Sequence, residues 1–76
     1  MKDSMFLIEV RRYGDGSLFK RRIAESYWSI EDWLDGNADK WANGEVVVDY
    51  DDYCCGVIYC NNRPLYRFET HNIAVV

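Results

Sequence analysis

The sequence predicts an α+β fold, in which a single antiparallel sheet of about five strands carries one amphipathic helix on one face, in the element order ββαβββ. Several short stretches rich in valine, isoleucine and aromatic residues alternate with turn residues, as strands do. One stretch has apolar residues at spacings of three and four, as a helix does. The turns between neighbouring strands are short, which favours antiparallel pairing. The other face of the sheet is then open to solvent or to a partner.

The first two strands are expected to form a hairpin. Large and branched side chains at alternate positions predict a strand over residues 5–13. Gly-Asp-Gly-Ser at 14–17 is typical of a tight turn, and a return strand is expected from 18 to 23 or 24. Basic residues lie near each other across this hairpin and predict a basic patch: Arg11, Arg12, Lys20, Arg21 and Arg22. Residues 1–22 hold six basic and three acidic side chains, a net charge of plus three.

The helix is predicted in the middle of the chain. Ser29 is the expected N-cap, with an acidic residue three positions on as in a capping box. Trp28 and Trp33 are expected to pack together as a hydrophobic staple. The apolar positions that recur at helical spacing are Ile30, Trp33, Leu34, Ala38, Trp41 and Ala42. A break or a tightened turn is expected near Gly36, and Gly44 is suited to end the helix.

Further strands are expected after the helix. The expected segments are strands over residues 45–50, 53–60 and 64–69, with turns at 51–52, 61–63 and 70–72. Three consecutive valines favour extended geometry in the first of these strands. Gly56 marks a bulge or a bend in the second, and Pro64 opens the third, where its missing N–H does least harm. A last edge strand over 73–76 stays open.

Length and composition indicate one small domain that spans residues 1–76. At 76 residues the chain is close to the size at which apolar burial barely offsets conformational entropy. Hydrophobic residues make up 49% and aromatic residues 16%, so a core built from a few large rings is expected and disorder is not. No apolar run approaches the roughly 20 residues that cross a bilayer, and the first residues lack the features of a signal peptide. A cytoplasmic location without a membrane partner is expected.

Cysteine and histidine side chains give one candidate metal site. Its ligands would be Cys54, Cys55, Cys60 and His71. Cys54 and Cys55 are adjacent, so they point to opposite faces of a strand, and free thiols in a reducing compartment are the favoured interpretation. Zinc binding stays an open alternative. A catalytic cysteine with His71 as its base is not favoured in so short a chain, and nucleotide-binding and hydrolase motifs are absent, so we expect neither an enzyme nor a cofactor.

A block of acidic residues is the main functional signal. Residues 29–52 carry eight acids and one base, a net charge of minus seven in a chain whose total is minus four. The acids are Glu31, Asp32, Asp35, Asp39, Glu45, Asp49, Asp51 and Asp52, and the base is Lys40. Net acidity argues against direct binding of duplex DNA, because phosphate binding needs clustered lysine and arginine. A basic protein partner is expected instead.

Tyrosines beside the acids complete the predicted contact surface. Tyrosine is enriched at protein interfaces because it buries a large area at low entropic cost and keeps a polar tip. The predicted contact residues are Asp35, Asp39, Asp49, Tyr50, Asp51, Asp52 and Tyr53.

With these features the chain resembles small, acidic, phage-encoded inhibitors of host defence, such as anti-CRISPR and anti-restriction proteins. The likeness rests on size, charge, a lone helix that bears acids (SIEDWLDGNADKW) and an acid-rich turn (DYDD). It implies a stoichiometric, non-catalytic inhibitor that covers the basic nucleic-acid-binding surface of a host complex in the host cytoplasm. The basic hairpin is a departure from an inhibitor that imitates nucleic acid with acidic residues alone. It is an alternative binding site for RNA or for an acidic subunit. Two alternatives stay open: a structural or adaptor domain that forms a homodimer through its open sheet face, and a small Cys/His metal-binding domain.

Overall fold

The structure, a computed structural model, describes residues 4–52 and 55–74 and shows the predicted α+β fold. In chain order the elements are β1 (Ser4–Arg12), β2 (Leu18–Ala24), α1 (Tyr27–Asn37), a 3-10 helix (Ala38–Trp41), β3 (Val46–Asp52), β4 (Cys55–Cys60) and β5 (Arg63–Ala74). The strands form one antiparallel sheet in the order β2-β1-β5-β4-β3. Neither helix in this part of the chain is long and apolar enough to cross a membrane.

β5 is the central strand and pairs with a neighbour on each side. Residues 66–74 pair with β1, and residues 63–68 pair with β4. The turn predicted at 70–72 is therefore wrong, because these polar residues continue the ladder, and residues 73 and 74 belong to the same strand. A strand with one face open to solvent accommodates polar side chains without a break. Residues 75–76, included in the last edge strand left open above, lie outside the described residues.

β3 is an edge strand, and it is longer than the sequence predicts. The turn predicted at its end is wrong, because β3 continues to Asp52. The pairing with β4 shifts register between Tyr50 and Asp52, next to Gly56, so Asp51 is the extra residue of a bulge. The irregularity expected at Gly56 thus lies on the opposite strand. Residues 53–54, expected to begin the next strand, lie outside the described residues.

α1 begins earlier than the sequence predicts. Ser26, and not Ser29, is the N-cap, since its backbone is extended and its side chain accepts a hydrogen bond from the Ser29 N–H at 3.2 Å. The ring of Tyr27 in the first turn packs against Phe6 of β1, with centroids 4.5 Å apart. This contact with the sheet fixes where the helix starts. The predicted hydrophobic staple is also wrong, because Trp28 is 79% exposed.

The core lies between the helices and one face of the sheet. Its buried side chains alternate along the strands and recur at helical spacing; they are Phe6, Ile8, Val10, Ala24, Ile30, Leu34, Ala38, Ile58, Tyr66 and Phe68. Trp33 and Trp41 pack against this core with ring centroids 5.3 Å apart. The tightening predicted near Gly36 is confirmed, because α1 passes after Asn37 into the 3-10 helix. We call the opposite side of the sheet the open face.

Because Ser26 is the N-cap, replacing Ser26 or Ser29 with alanine should lower the free energy of unfolding by different amounts. Replacing Ser26 with alanine leaves an N–H of the first helical turn without its acceptor, so the free energy of unfolding should fall by about 1 kcal/mol. Ser29→Ala is the matched control and should change it less, because it keeps the Ser29 N–H that donates to Ser26 and removes only an exposed contact between the two hydroxyl groups at 3.2 Å. Urea denaturation followed by tryptophan fluorescence measures both. A larger loss for Ser29→Ala would restore Ser29 as the N-cap.

The close packing at Gly56 predicts opposite effects for two glycines. A methyl group at Gly56 would overlap the Asp49 carbonyl oxygen and lie 3.0 Å from the Phe68 ring. Gly56→Ala should therefore lower the free energy of unfolding by about 2 kcal/mol or more. Gly36→Ala meets no atom within 4 Å and should raise it by up to about 1 kcal/mol, because alanine is the better helix former. Equal stability of Gly56→Ala and the parent in urea denaturation would contradict the packing of β3 on β4.

Candidate functional site

The predicted contact residues that the structure describes meet at one edge of the molecule. β3 forms that edge of the sheet, and the 3-10 helix contacts it. The Tyr50 hydroxyl donates a hydrogen bond to Asp35 Oδ1 at 3.2 Å, which joins β3 to α1. We call this region the acidic edge; it comprises Asp35, Asp39, Asp49, Tyr50 and Asp51. The side chain of Asp52 and all of Tyr53, which were also predicted, lie outside the described residues.

The acidic edge wraps around β3 and is not a single flat patch. Tyr50 lies on the helix side, where its ring packs edge-on against Phe68 with centroids 5.6 Å apart. Asp49 lies on the open face, because successive side chains of a strand alternate. Asp51 borders the same face, where it lines a groove together with Arg67. Carboxylates therefore stand on both sides of the outer backbone of β3, which has no strand neighbour within the described residues.

Carboxylates in this protein have two kinds of surroundings. Glu9 lies 3.5 Å from Arg11 and 3.9 Å from Arg21, and Glu69 lies 3.0 Å from Arg67. In contrast, no carboxylate of the acidic edge forms an ion pair with any lysine or arginine that the structure describes. All four of its aspartates are exposed. Their negative charge is thus not neutralised within the described fold, and the potential that they create extends into solvent.

The centre of the open face carries a charged cluster that the sequence analysis missed. Glu9 stands directly opposite Glu69, and Arg11 stands opposite Arg67, on the paired strands β1 and β5. The His71 Nε2 atom lies 3.7 Å from a carboxylate oxygen of each glutamate. Like charges face each other across β1 and β5, so the Arg11–Glu9 and Arg67–Glu69 pairs each run along one strand. Arg21 pairs with Glu9 from the neighbouring strand β2. The signal in the sequence was Glu-x-Arg at 9–11 and Arg-x-Glu at 67–69, at alternate positions of two strands.

The predicted basic patch is divided between the two faces of its hairpin. Arg11 and Arg21 lie on the open face beside Glu9. The others lie on the helix side, over aromatic rings. The cationic groups of Arg12 and Lys20 are 5.0 and 5.4 Å from the Phe19 centroid, and that of Arg22 is 5.7 Å from Trp33. We call β2 with its lysine and arginines the basic edge, because β2 is the strand at the opposite side of the sheet from β3.

The turn of the basic hairpin is held by a charged aspartate. The Ser17 N–H and hydroxyl both donate to Asp15 Oδ1, at 2.9 and 2.7 Å. These hydrogen bonds, with the nearby Arg12 charge, hold the pKa of the Asp15 carboxyl below its ordinary value. Because this pKa is lowered in the folded state, the charged Asp15 side chain stabilises the fold above its unfolded-state pKa. That stabilisation is lost as the pH falls through the folded-state pKa. The charged form therefore supports the turn at neutral pH.

The three candidate metal ligands that the structure describes do not come together. Cys55 and His71 line the groove on the open face, which has a volume of about 470 Å³. Cys60 lies at the other end of β4, where its thiol donates a hydrogen bond to the Asn43 carbonyl oxygen at 3.2 Å. Cys54 lies outside the described residues. Within the described part of the chain there is no group of three His, Cys, Asp or Glu side chains suited to a metal ion.

The hydrogen bond between β3 and α1 predicts a difference between two tyrosines. Tyr50→Phe removes the donor to Asp35 and should lower the free energy of unfolding by about 0.5 to 1 kcal/mol. Tyr59→Phe is the control, because the Tyr59 hydroxyl has no hydrogen-bond partner among the described residues, and it should change stability by less. Urea denaturation measures both. Losses of equal size would show that the hydroxyl of Tyr50 does not tie the two elements together.

Comparisons of the chain with protein-family models, curated proteins and solved structures found no match. The chemistry of the candidate site is therefore inferred from its own residues. These are exposed aspartates grouped at one sheet edge, without ion pairs in the described fold, and a tyrosine that fixes one of them to the edge strand.

Proposed function

We propose that this protein is a stoichiometric, non-catalytic inhibitor that binds the basic nucleic-acid-binding surface of another protein through the acidic edge. The observation that carries the proposal is the contrast between the two sets of carboxylates. Glu9 and Glu69 at the centre of the open face are paired with arginines, whereas the aspartates of the acidic edge are exposed and have no such partner among the described residues. Carboxylates without an ion pair in the fold are available to the lysines and arginines of a partner, because no intramolecular ion pair has to be broken first.

The placement of the acids on secondary structure supports a docking role. Asp49 and Asp51 project from a strand paired to the sheet, and Asp35 is fixed through Tyr50. Side chains held on a rigid element lose less freedom on binding than those on a mobile loop, so more of the electrostatic attraction appears as affinity. Lysine and arginine side chains that normally contact phosphates would contact these carboxylates instead.

The separation of charge across the sheet supports an oriented approach. The acidic edge and the basic edge lie on opposite strands of the five-stranded sheet. A molecule with this asymmetry turns its negative side toward a positive surface before contact, which raises the association rate and makes it sensitive to salt. Only one side of the molecule is then engaged, and the basic edge points away from the partner.

The open face is the less favoured surface for a partner or a homodimer. Its centre already contains two ion pairs, each within one strand. They are Glu9 with Arg11 and Glu69 with Arg67. Burying them would cost desolvation free energy that new contacts must first offset. The geometry therefore favours the acidic edge over the open face.

The proposed biological setting is the one that the resemblance implies: a phage-encoded protein of the anti-CRISPR or anti-restriction type, acting in the host cytoplasm. The support is the size of the chain, its net charge of minus four, and the grouping of acids beside the one α-helix of the described residues. The partner class is then a nucleic-acid-handling complex.

A capture experiment with two charge-matched variants tests this function. The test variant is Asp49→Asn with Asp51→Asn, and the control is Glu25→Gln with Asp32→Asn; each changes the net charge from minus four to minus two. The immobilised proteins are exposed to bacterial lysate at low salt, and retained proteins are identified after elution with high salt. Two surface charge contacts of about 0.7 kcal/mol each correspond to an affinity loss of about tenfold. The parent and the control should therefore retain nucleic-acid-binding proteins that the test variant loses.

A second measurement follows for each captured protein. Addition of the parent at equimolar amount should displace nucleic acid from it in a gel-shift assay, and the test variant should displace it poorly. Retention of the same proteins by all three forms, or capture without displacement of nucleic acid, would contradict the proposed function.

A further inference from the structure

The two outer strands of the sheet have opposite charge. Lys20, Arg21 and Arg22 follow one another on β2, and Asp49 and Asp51 lie on β3. Each strand pairs with a neighbour on one side only, within the described residues. A strand with one free backbone side is a template for another strand. The molecule therefore presents two such templates, one basic and one acidic.

Pairing of identical edges is disfavoured by charge. Two β3 strands side by side would bring Asp49 and Asp51 of both copies together, and two β2 strands would bring two runs of three cations together. Like charges on neighbouring strands destabilise their pairing. A symmetric dimer through either edge is therefore opposed, and the pairing of unlike edges is the one that charge favours.

We propose that the acidic edge of one molecule binds the basic edge of a second copy, so that β3 and β2 pair and the sheet continues from one molecule into the next. Charge complementarity is the first support. The second is apolar exposure on both edges, because Ile23 of β2 is 56% exposed and Val47 of β3 is 52% exposed. A junction between the strands would cover part of this surface.

The sheet topology limits the geometry of the junction. β2 and β3 run in the same direction, because four antiparallel pairings separate them. An antiparallel junction therefore turns the second copy over, so that its helix lies on the opposite side of the continued sheet. Asp49 of the first molecule then stands beside the side chains on the helix side of β2 in the second copy. The register that places it opposite Arg22 also places Asp51 opposite Lys20, near the bulge.

The same register brings apolar side chains together on the other face of the junction. Val48 of β3, which is partly buried, stands opposite the exposed Ile23 of the second copy. Each added molecule leaves one acidic and one basic edge at the ends of the assembly. Association is therefore open-ended, and it weakens as salt screens the charges.

Two variants that each lack one edge test the proposal with purified protein alone. The first is Asp49→Asn with Asp51→Asn, and the second is Lys20→Gln with Arg22→Gln; circular dichroism confirms that each is folded. Sedimentation velocity is run from about 10 µM to about 1 mM at low salt and at high salt. The parent should rise above the 9.0 kDa monomer mass as its concentration increases at low salt, and should return to it at high salt.

The mixture of the two variants is the decisive sample. Each variant alone should remain at the monomer mass, since it lacks one half of the junction. An equimolar mixture retains one acidic edge and one basic edge that can meet, so it should reach twice 9.0 kDa and no higher. A parent that stays monomeric at low salt, a mixture no heavier than its components, or a variant that associates as the parent does would each overturn the proposal. A failure of this proposal leaves the proposed inhibitor function standing, because that function needs only the free acidic edge of a single molecule.

Discussion

The position of β5 between β1 and β4 is the constraint on which the rest of the structure depends. Before β5 the chain makes two hairpins, β1 with β2 and β3 with β4. β5 follows β4 through a tight turn at residues 61–62 and also pairs with β1, which joins the strands into one sheet. It also supplies Phe68, whose buried ring lies in the core beside the side chains of both hairpins. Because the inner strand of each hairpin pairs with β5, the outer strands β2 and β3 become the edges, about 19 Å apart at the usual strand spacing.

This arrangement separates the charges of the molecule. The hairpin rich in lysine and arginine contributes one edge, and the hairpin rich in aspartate contributes the other. The acids between the hairpins, on α1 and the 3-10 helix, join the second edge through the contact of Tyr50 with Asp35. Carboxylate side chains thus have two different surroundings in this fold. Glu9 and Glu69 hold arginines on the open face, whereas the aspartates of the acidic edge remain exposed.

Much of the fold can be predicted from local patterns, and the remainder depends on tertiary contacts. The alternation of apolar residues in the strands, the turn residues and one apolar helical stripe are enough to predict the fold class and the order of the elements. The late turn was wrongly predicted because Thr70, His71 and Asn72 are polar, and only their pairing with β1 shows that they continue a strand. The helix start was misplaced because two serines three residues apart both suit an N-cap, and the packing of Tyr27 on Phe6 decides between them.

The residues of the candidate site could be predicted from the sequence, but their arrangement in space could not. The acid-rich stretch identified Asp35, Asp39, Asp49, Tyr50 and Asp51, but alternation along β3 places them on two sides of an edge, which a linear sequence does not show. The charged cluster of the open face was missed because its members come from strands far apart in sequence.

The central claim is that the acidic edge is the surface that receives basic partners, and NMR chemical-shift mapping tests it most directly. An octa-arginine peptide is titrated into the ¹⁵N-labelled protein at low salt, and the amide shifts are followed residue by residue. We expect saturable changes at residues 46–51 of β3 and at Asp35 and Asp39, which disappear at high salt. Changes centred on Glu9 and Glu69, or spread evenly over all exposed acids, would contradict the claim.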